Sequence, residues 1–175
     1  MIQPPDHTEA AEYYFRYIDQ VVLAPGQDIC EALASQLEEV RAFCLCITEE
    51  QSLRRYAPGK WSIRQVLNHI SDNERVFAYR ALWFARGFDV PLSRFDEGIA
   101  AVLADADSRS WASHVEEFES VRAATLTLFG NLPSNAWMRR GVASGNPFTV
   151  RALAFVTAGH VTHHCRILRE RYLGK

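Results

Sequence analysis

The sequence has no large excess of charge of either sign. Its 19 lysines and arginines stand against 21 aspartates and glutamates, which gives a formal net charge of -2 at pH 7. Capture of nucleic acid or of an anionic membrane depends on concentrated basic surface, and this balance does not supply it. We therefore expect neither nucleic acid nor a membrane as a partner.

Long apolar runs and the pattern of a secretory leader are also missing from these residues. No apolar stretch approaches the roughly 20 residues that cross a bilayer, and the opening MIQPPDHTEAAEYY lacks a basic segment followed by an apolar one. The four cysteines follow neither a disulfide framework nor the paired spacing of a structural zinc site; they are Cys30, Cys44, Cys46 and Cys165. We expect reduced thiols in a soluble, cytoplasmic protein.

The chain does have a strong helical pattern. Hydrophobic residues make up 48% of the 175 positions, enough for one domain over residues 1–175 with a proper core. They recur at spacings of three and four, which predicts an all-α chain with four long helices and a shorter one ahead of them. The predicted helices cover about residues 8–22, 28–47, 62–87, 110–129 and 150–172. Four long helices with such connections are typical of a bundle.

The connections between the predicted helices differ in character. TEEQSLRRYAPGK reads as a polar link and GFDVPLSRFDEG as an irregular one, whereas RRGVASGNPFT is rich in turn formers and predicts a loop or a small hairpin. The third long helix has the clearest start, because Ser62 and Gln65 form a capping box and Trp61 can pack onto Val66 one turn later. This start fixes the direction of the helix.

Three of the six histidines fall within five consecutive positions of AGHVTHHCRIL, residues 158–168. Successive residues of an α-helix turn by about 100°, so His160 and His164 share one face and His163 lies off that line. The inward stripe of the last helix includes both. A histidine pair at this spacing can reach one transition metal, and His69, among the apolar positions of the third helix, would complete a set of three nitrogens.

Two interpretations of these histidines remain open. A lone core histidine is more often hydrogen-bonded locally, but three buried neutral imidazoles without a metal need three sets of partners. Three imidazoles suit zinc, nickel, iron or copper, and three protein ligands leave a position for water or substrate. No built-in general base follows, because Val161 stands where a zincin has glutamate. His7 and His114 have no such neighbours and are expected to be solvated.

Other polar residues lie near the proposed ligands. Asn73 and Arg80, further along the helix of His69, could orient a ligand or bind an anionic substrate, or they could form a polar contact between helices. His163 is expected beside the ligands rather than among them. Helix geometry turns Glu74 about 140° from His69, so a solvated carboxylate is expected. No catalytic acid or base can be named.

The longer motifs resemble one family. KWSIRQVLNHISDNERVFAYRALWFARG is similar to the signature of the DinB-like superfamily, which includes YfiT-like metal-dependent hydrolases. GHVTHHCRIL resembles the H-x-x-H-H pattern at the end of that family's domain, and LPSNAWMRRG with the following FTVRAL resembles the approach to its last helix. The resemblance covers about Leu53 to Leu173, with the motifs in the family's order.

The resemblance implies an up-down-down-up four-helix bundle, with a short additional N-terminal helix in this chain, that is often a homodimer. It also implies a divalent metal held by three histidines, which by motif position are His69, His160 and His164. These are the residues that helical periodicity selects. Zinc or nickel is the first expectation, with iron or manganese as alternatives.

The resemblance also implies an enzymatic function. Members of the family include transferases and isomerases that use a low-molecular-weight thiol such as bacillithiol, mycothiol or glutathione. The chain is thus expected to be a metal-dependent transferase, isomerase or hydrolase that presents a thiol or water to a small electrophile. A non-catalytic metal-binding or stress-related bundle remains an alternative, as does a metal-free bundle with ordinary core histidines.

Overall fold

The computed structural model describes residues 1–174 and is mainly helical. Its α-helices are α1 (Glu12–Ile18), α2 (Ile29–Leu45), α3 (Glu49–Ser52), α4 (Ile63–Ala85), α5 (Glu97–Leu103), α6 (Trp111–Gly130) and α7 (Val150–Ile167). The other elements are two 3-10 turns (Ala106–Ser108, Ser134–Ala136), strands β1 (Arg140–Ala143) and β2 (Asn146–Thr149), and a π-helical turn (Leu168–Leu173). In this part of the chain, no helix is both long and apolar enough to span a membrane.

Helices α4 and α6 run parallel to each other. Near the start of both, the Arg64 side chain donates to the Arg109 carbonyl at 2.6 Å. Further along both, Arg122 Nε donates to Glu74 Oε1 at 2.7 Å. A parallel pair needs a return connection along the length of the bundle, and residues 86–110 with α5 supply it.

The remaining contacts fix the other directions. Tyr172 donates its hydroxyl proton to the Trp61 carbonyl at 2.7 Å, so the end of the last helical segment meets the start of α4. The indole of Trp111, the first residue of α6, donates to the carbonyl of Cys44 near the end of α2. Both helix pairs are therefore antiparallel, and α2, α4, α6 and α7 form the expected up-down-down-up four-helix bundle, preceded by the short α1.

The helix starts follow the capping residues in the sequence. Ser62 and Gln65 form the predicted capping box of α4, and Asp28 and Thr149 cap α2 and α7. The first helix is shorter than the predicted 8–22, because Glu9 and the adjoining residue pair with strand β2: the Thr149 amide donates to the Glu9 carbonyl at 2.9 Å. The turn-rich segment forms the antiparallel hairpin β1–β2.

The core consists of two apolar clusters stacked along the bundle. The first contains Phe84, Phe148 and Phe155, and the second contains Ile70 and Phe118. On α7 the first cluster ends at residue 158 and the second begins at residue 161. Gly159 and His160 lie between them, so the bundle places this histidine at the junction of its two apolar clusters.

Candidate metal centre

Three histidine side chains from two helices meet at this junction. His69 Nε2 on α4 lies 3.1 Å from His160 Nε2 on α7, and His164 Nε2, one turn later on α7, also lies 3.1 Å from His160 Nε2. One ring nitrogen from each of the three side chains lies within 4.8 Å of those of the other two. The histidines selected by periodicity therefore converge on one point.

Burial keeps these imidazoles neutral. His69 and His160 are 6% and 4% exposed, and His164 is partly buried. Loss of solvent lowers the pKa of His69 to about 4 and that of His164 to about 3, with the neighbouring histidine charge adding to the effect on His164. Burial also lowers the pKa of His160 well below its usual range. Near neutral pH all three can offer a lone pair.

Hydrogen bonding alone satisfies this arrangement poorly. A neutral imidazole has one protonated and one bare nitrogen, and the two short contacts share His160 Nε2. That atom has a single in-plane site, so it cannot make two good hydrogen bonds. Two nitrogens bound to one tetrahedral ion at 2.0–2.1 Å would lie about 3.3 Å apart, close to the observed spacing. The donor set therefore fits one transition-metal ion.

Asn73 holds His69 from the side away from the other two histidines. Its Nδ2 lies 3.1 Å from His69 Nδ1 and donates to the His69 backbone carbonyl at 3.0 Å. Both residues are buried. This contact fixes the orientation of the ring and leaves Nε2 directed at the cluster. A His69 that binds metal through Nε2 carries its proton on Nδ1, so its partner is then the Asn73 amide oxygen Oδ1, with the amide group turned by 180°.

Aromatic rings cover the cluster along α4. The Trp61 ring lies 4.9 Å from the His69 ring, measured between centroids, at the start of that helix. Two turns after His69, Phe77 meets the His160 ring edge-on at 5.7 Å. These contacts exclude water from both flanks, which strengthens electrostatic interactions inside the site.

A close approach between α1 and α7 covers the third side. Tyr17 packs edge-on against His160 and His163, with centroid distances of 5.4 Å in both cases. A Cβ atom added at Gly159 would lie 2.0 Å from the Tyr17 carbonyl oxygen, so only glycine permits this contact. His163 lies beside the three converging nitrogens, and its buried Nδ1 has no hydrogen-bond partner within residues 1–174.

The cluster opens on the remaining side into a cavity of about 330 Å³. Of the three histidines, His164 lines it. The other lining residues are Tyr56, Gly59, Lys60, Trp61, Val66, Ile167 and Tyr172. A small molecule in this cavity would therefore meet His164 first, between aromatic walls and one lysine.

Arg80 lies apart from the histidines. Its Nη2 donates to Ser144 Oγ in the β1–β2 turn at 2.8 Å, and it faces a second cavity on the other side of Phe77. The structure thus brings Asn73 to the three histidines, places His163 next to them, and directs Arg80 elsewhere.

Two polar residues expected in solvent are buried. Glu74 is 1% exposed and accepts two hydrogen bonds from Arg122, at 2.7 and 2.8 Å. His114 is 1% exposed, and its Nε2 lies 2.8 Å from the Ala106 carbonyl oxygen. Both expectations were wrong because the partner of each residue lies on a different element. The parallel packing of α4 and α6 brings Arg122 to Glu74, and helical periodicity does not predict which helices pack together.

Comparison with known proteins agrees with this architecture. A family model described as the DinB superfamily matches residues 32–168. Among solved structures, YfiT from Bacillus subtilis has a TM-score of 0.67 and 16% sequence identity, over 96% of this chain and 93% of that one. YfiT is described as a probable metal-dependent hydrolase with an unusual four-helix bundle topology. At this identity the likeness establishes the fold. No curated protein matches the chain.

Proposed function

The chain belongs to the DinB superfamily, and from this membership we propose that it is an enzyme whose His69, His160 and His164 hold one divalent metal ion. The convergence of three neutral imidazole nitrogens, with two Nε2–Nε2 distances of 3.1 Å, carries the proposal. The description of YfiT as a metal-dependent hydrolase supports the same class of activity.

Three protein ligands leave room for a reactant. Bound there, a zinc or nickel ion would act as a Lewis acid that lowers the pKa of a coordinated water or thiol. The reactant would approach through the 330 Å³ cavity, because His164 lines that cavity. The proposed substrate is therefore a small electrophile rather than a macromolecule.

The chain's own residues prepare the site in three ways. Asn73 fixes the ring of His69. Trp61 covers that ring and also lines the cavity, so it excludes water from both. Lys60 lies at the cavity and favours an anionic reactant there. Together they orient the ligands, keep the centre dry and attract negative charge.

A low-molecular-weight thiol is the second candidate for the nucleophile, and the cavity favours it. Within the described chain, the residues that line the cavity include no carboxylate. Hydrolysis usually needs a general base and later an acid for the leaving group. A thiol ionises when it binds the metal and needs no separate base. A thiol-dependent transferase or isomerase therefore does not require a carboxylate among the lining residues.

Metal content provides the first test. We expect about one ion per chain in untagged protein, determined by elemental mass spectrometry, and loss of that ion in His164→Ala. His163→Ala is the matched control, because His163 adjoins His164 but lies outside the converging set, and it should keep its metal. Metal-free wild-type protein that also fails to take up added zinc or nickel would contradict the proposal.

A second test separates the two nucleophiles. Loaded protein is incubated with an activated ester or an alkylating electrophile, with and without glutathione, cysteine or bacillithiol, and the products are identified by mass spectrometry. A thioether from the alkylating electrophile, or a thioester from the activated ester, that requires the three histidines supports transfer, whereas acid and alcohol formed without thiol support hydrolysis. A loaded protein that accelerates neither reaction, across a panel of electrophiles, would favour a non-catalytic metal-binding bundle.

A further inference from the structure

A second cavity lies on the far side of Phe77 from the histidines. Its volume is about 380 Å³, and it is bounded by α1, α4, the start of α5 and the hairpin turn. Phe77 lines this cavity and packs against His160, so one ring separates the two regions. The residues that line the two cavities do not overlap.

The cavity contains a buried arginine without an ionic partner. Arg80 lines it and is 5% exposed. Within residues 1–174, no carboxylate oxygen lies within 4.0 Å of its guanidinium. Glu97, the acidic residue of the same lining, acts on the guanidinium only from a longer distance. Burial of a charge is expensive unless an opposite charge and hydrogen bonds compensate it. An arginine has five N–H donors, so the cavity holds a cation suited to an anion from outside the chain.

The hairpin turn orients this guanidinium. Ala143 pairs with Asn146, so Ser144 and Gly145 form a two-residue turn, and both have positive φ, at 54° and 75°. Such turns favour asparagine or glycine at the first position, yet a serine stands there and accepts from Arg80 Nη2 at 2.8 Å. The Tyr14 hydroxyl also faces the guanidinium. The side chain is thus fixed before any ligand arrives.

The remaining lining indicates which anion would fit. Arg94 and Glu97 line the cavity, and both are exposed residues, so with Arg80 the formal charge of the lining is +1. A single negative charge balances it. Tyr13, Tyr14 and Phe95 supply aromatic wall. An apolar body with one acidic group matches the lining better than a small, highly charged ion does.

We propose that this cavity binds a small monocarboxylate with an aromatic or apolar body, and that Arg80 pairs with the carboxylate. The planar guanidinium matches a carboxylate through two parallel hydrogen bonds. The inference goes beyond the proposed function, because neither the metal nor the three histidines take part in it.

The test is calorimetric titration of the purified protein with phenylacetate. We expect saturable binding that weakens at least about tenfold in Arg80→Met, because charge-assisted hydrogen bonds are lost. The matched control is Arg86→Met, an exposed arginine at the end of the same helix, which should bind as the wild type does. Phenylacetamide, the uncharged analogue, should not bind. Wild-type affinity in Arg80→Met, or equal binding of the amide, would overturn the proposal.

Two further arms separate this cavity from the metal centre and from a structural role. His164→Ala should bind phenylacetate as the wild type does, whereas loss there with retention in Arg80→Met would place the anion at the histidines and overturn the proposal. Arg80→Lys keeps the buried charge but removes the planar guanidinium that makes two parallel hydrogen bonds. We expect weaker binding of phenylacetate with an unchanged Tm. Affinity at the wild-type level in this variant would contradict the guanidinium pairing, and tighter binding of inorganic phosphate would overturn the carboxylate assignment.

Discussion

At the scale of single residues, the candidate metal centre depends on groups that touch the histidines without contributing a converging nitrogen. Asn73 contacts the far nitrogen of His69, Trp61 covers the same ring, and Tyr17 covers His160. Each acts on the orientation or the solvation of a ligand. Their removal should therefore change the affinity for metal while the three ligands remain in place.

Asn73→Ala should weaken metal binding about 10- to 100-fold, as loss of an outer partner of a ligating histidine usually does. Competition with a chromophoric chelator measures the change. Asn68→Ala is the matched control on the same helix, because buried Asn68 donates to Asp72 at 2.8 Å and has no contact with His69 among its hydrogen bonds. Equal metal affinity in the two variants would show that Asn73 does not position His69.

Gly159→Ala should destabilise the protein, because the new methyl group would collide with the Tyr17 carbonyl and push α1 away from α7. Overpacking of this kind costs about 1–3 kcal/mol or more. Gly130→Ala is the control, since a Cβ there has nothing within 4 Å. Chemical denaturation compares the two variants, and a Gly159→Ala protein as stable as Gly130→Ala would mean that α1 does not pack as described.

At the scale of elements, one buried ion pair connects most of the bundle. Arg122 on α6 makes two hydrogen bonds to Glu74 on α4 and also donates to the Leu33 carbonyl and the Gln36 side chain on α2. Gln36 in turn donates to the Ala158 carbonyl on α7, at 2.9 Å. The network fixes the register of all four long helices and hence the relative positions of the histidines.

Glu74→Ala should cost about 3–5 kcal/mol of unfolding free energy, because it leaves the Arg122 charge buried and unpaired. Urea denaturation at neutral pH measures this loss. The double variant Glu74→Met with Arg122→Met should recover most of it, since apolar replacement of both partners removes the unpaired charge. Glu119→Ala breaks only the exposed pair with Arg41 and should change stability by less than about 1 kcal/mol.

The differences between predicted and observed elements have local causes. Helix α3 lies in a link predicted as polar chain, although Thr48 and Gln51 form a capping box that the sequence displays. Helix α5 begins inside GFDVPLSRFDEG, the segment predicted as irregular, and Asp96 caps it. The last helix ends as an α-helix at Ile167 and continues as a π-helical turn. Helices of one or two turns show too little periodicity to be predicted from it.

At the scale of the whole molecule, three buried neutral histidines make the stability of the metal-free protein depend on pH. The unfolded chain takes up protons near pH 6.5, whereas the pKa of His69 is about 4 and that of His164 about 3 in the folded state. Between these values the unfolded state binds more protons, so stability is full above about pH 6.5 and falls as pH decreases. Burial lowers the pKa of His114 as well, which acts in the same direction.

Protein treated with a chelator should therefore lose about 1.4 kcal/mol of unfolding free energy per pH unit, for each such histidine, between about pH 6 and pH 4. Urea midpoints at several pH values provide the measurement. His164→Gln should reduce the slope by about one histidine. A stability independent of pH over this range would mean that the imidazoles are solvated. Added metal at neutral pH should raise Tm, and acid should reverse that gain, because protons compete for the same nitrogens.

Several expectations about the whole molecule stay predictions. A single domain over residues 1–175, a homodimer and a cytoplasmic location come from composition or from resemblance. The identity of the metal likewise depends on supply in the cell, since sets of imidazoles accept several ions.

The sequence by itself determined the helical class, the bundle of four long helices and the choice of the three histidines as candidate ligands, because local periodicity or a motif indicates each of them. His160 and His164 share a helix face by spacing alone. Tertiary structure decided what periodicity cannot encode: the contact of Asn73 with a ring nitrogen, the pairing of Glu74 with Arg122, and the direction of Arg80. These depend on which helices become neighbours and in which register. That choice is made by packing across the bundle, between residues far apart in the chain.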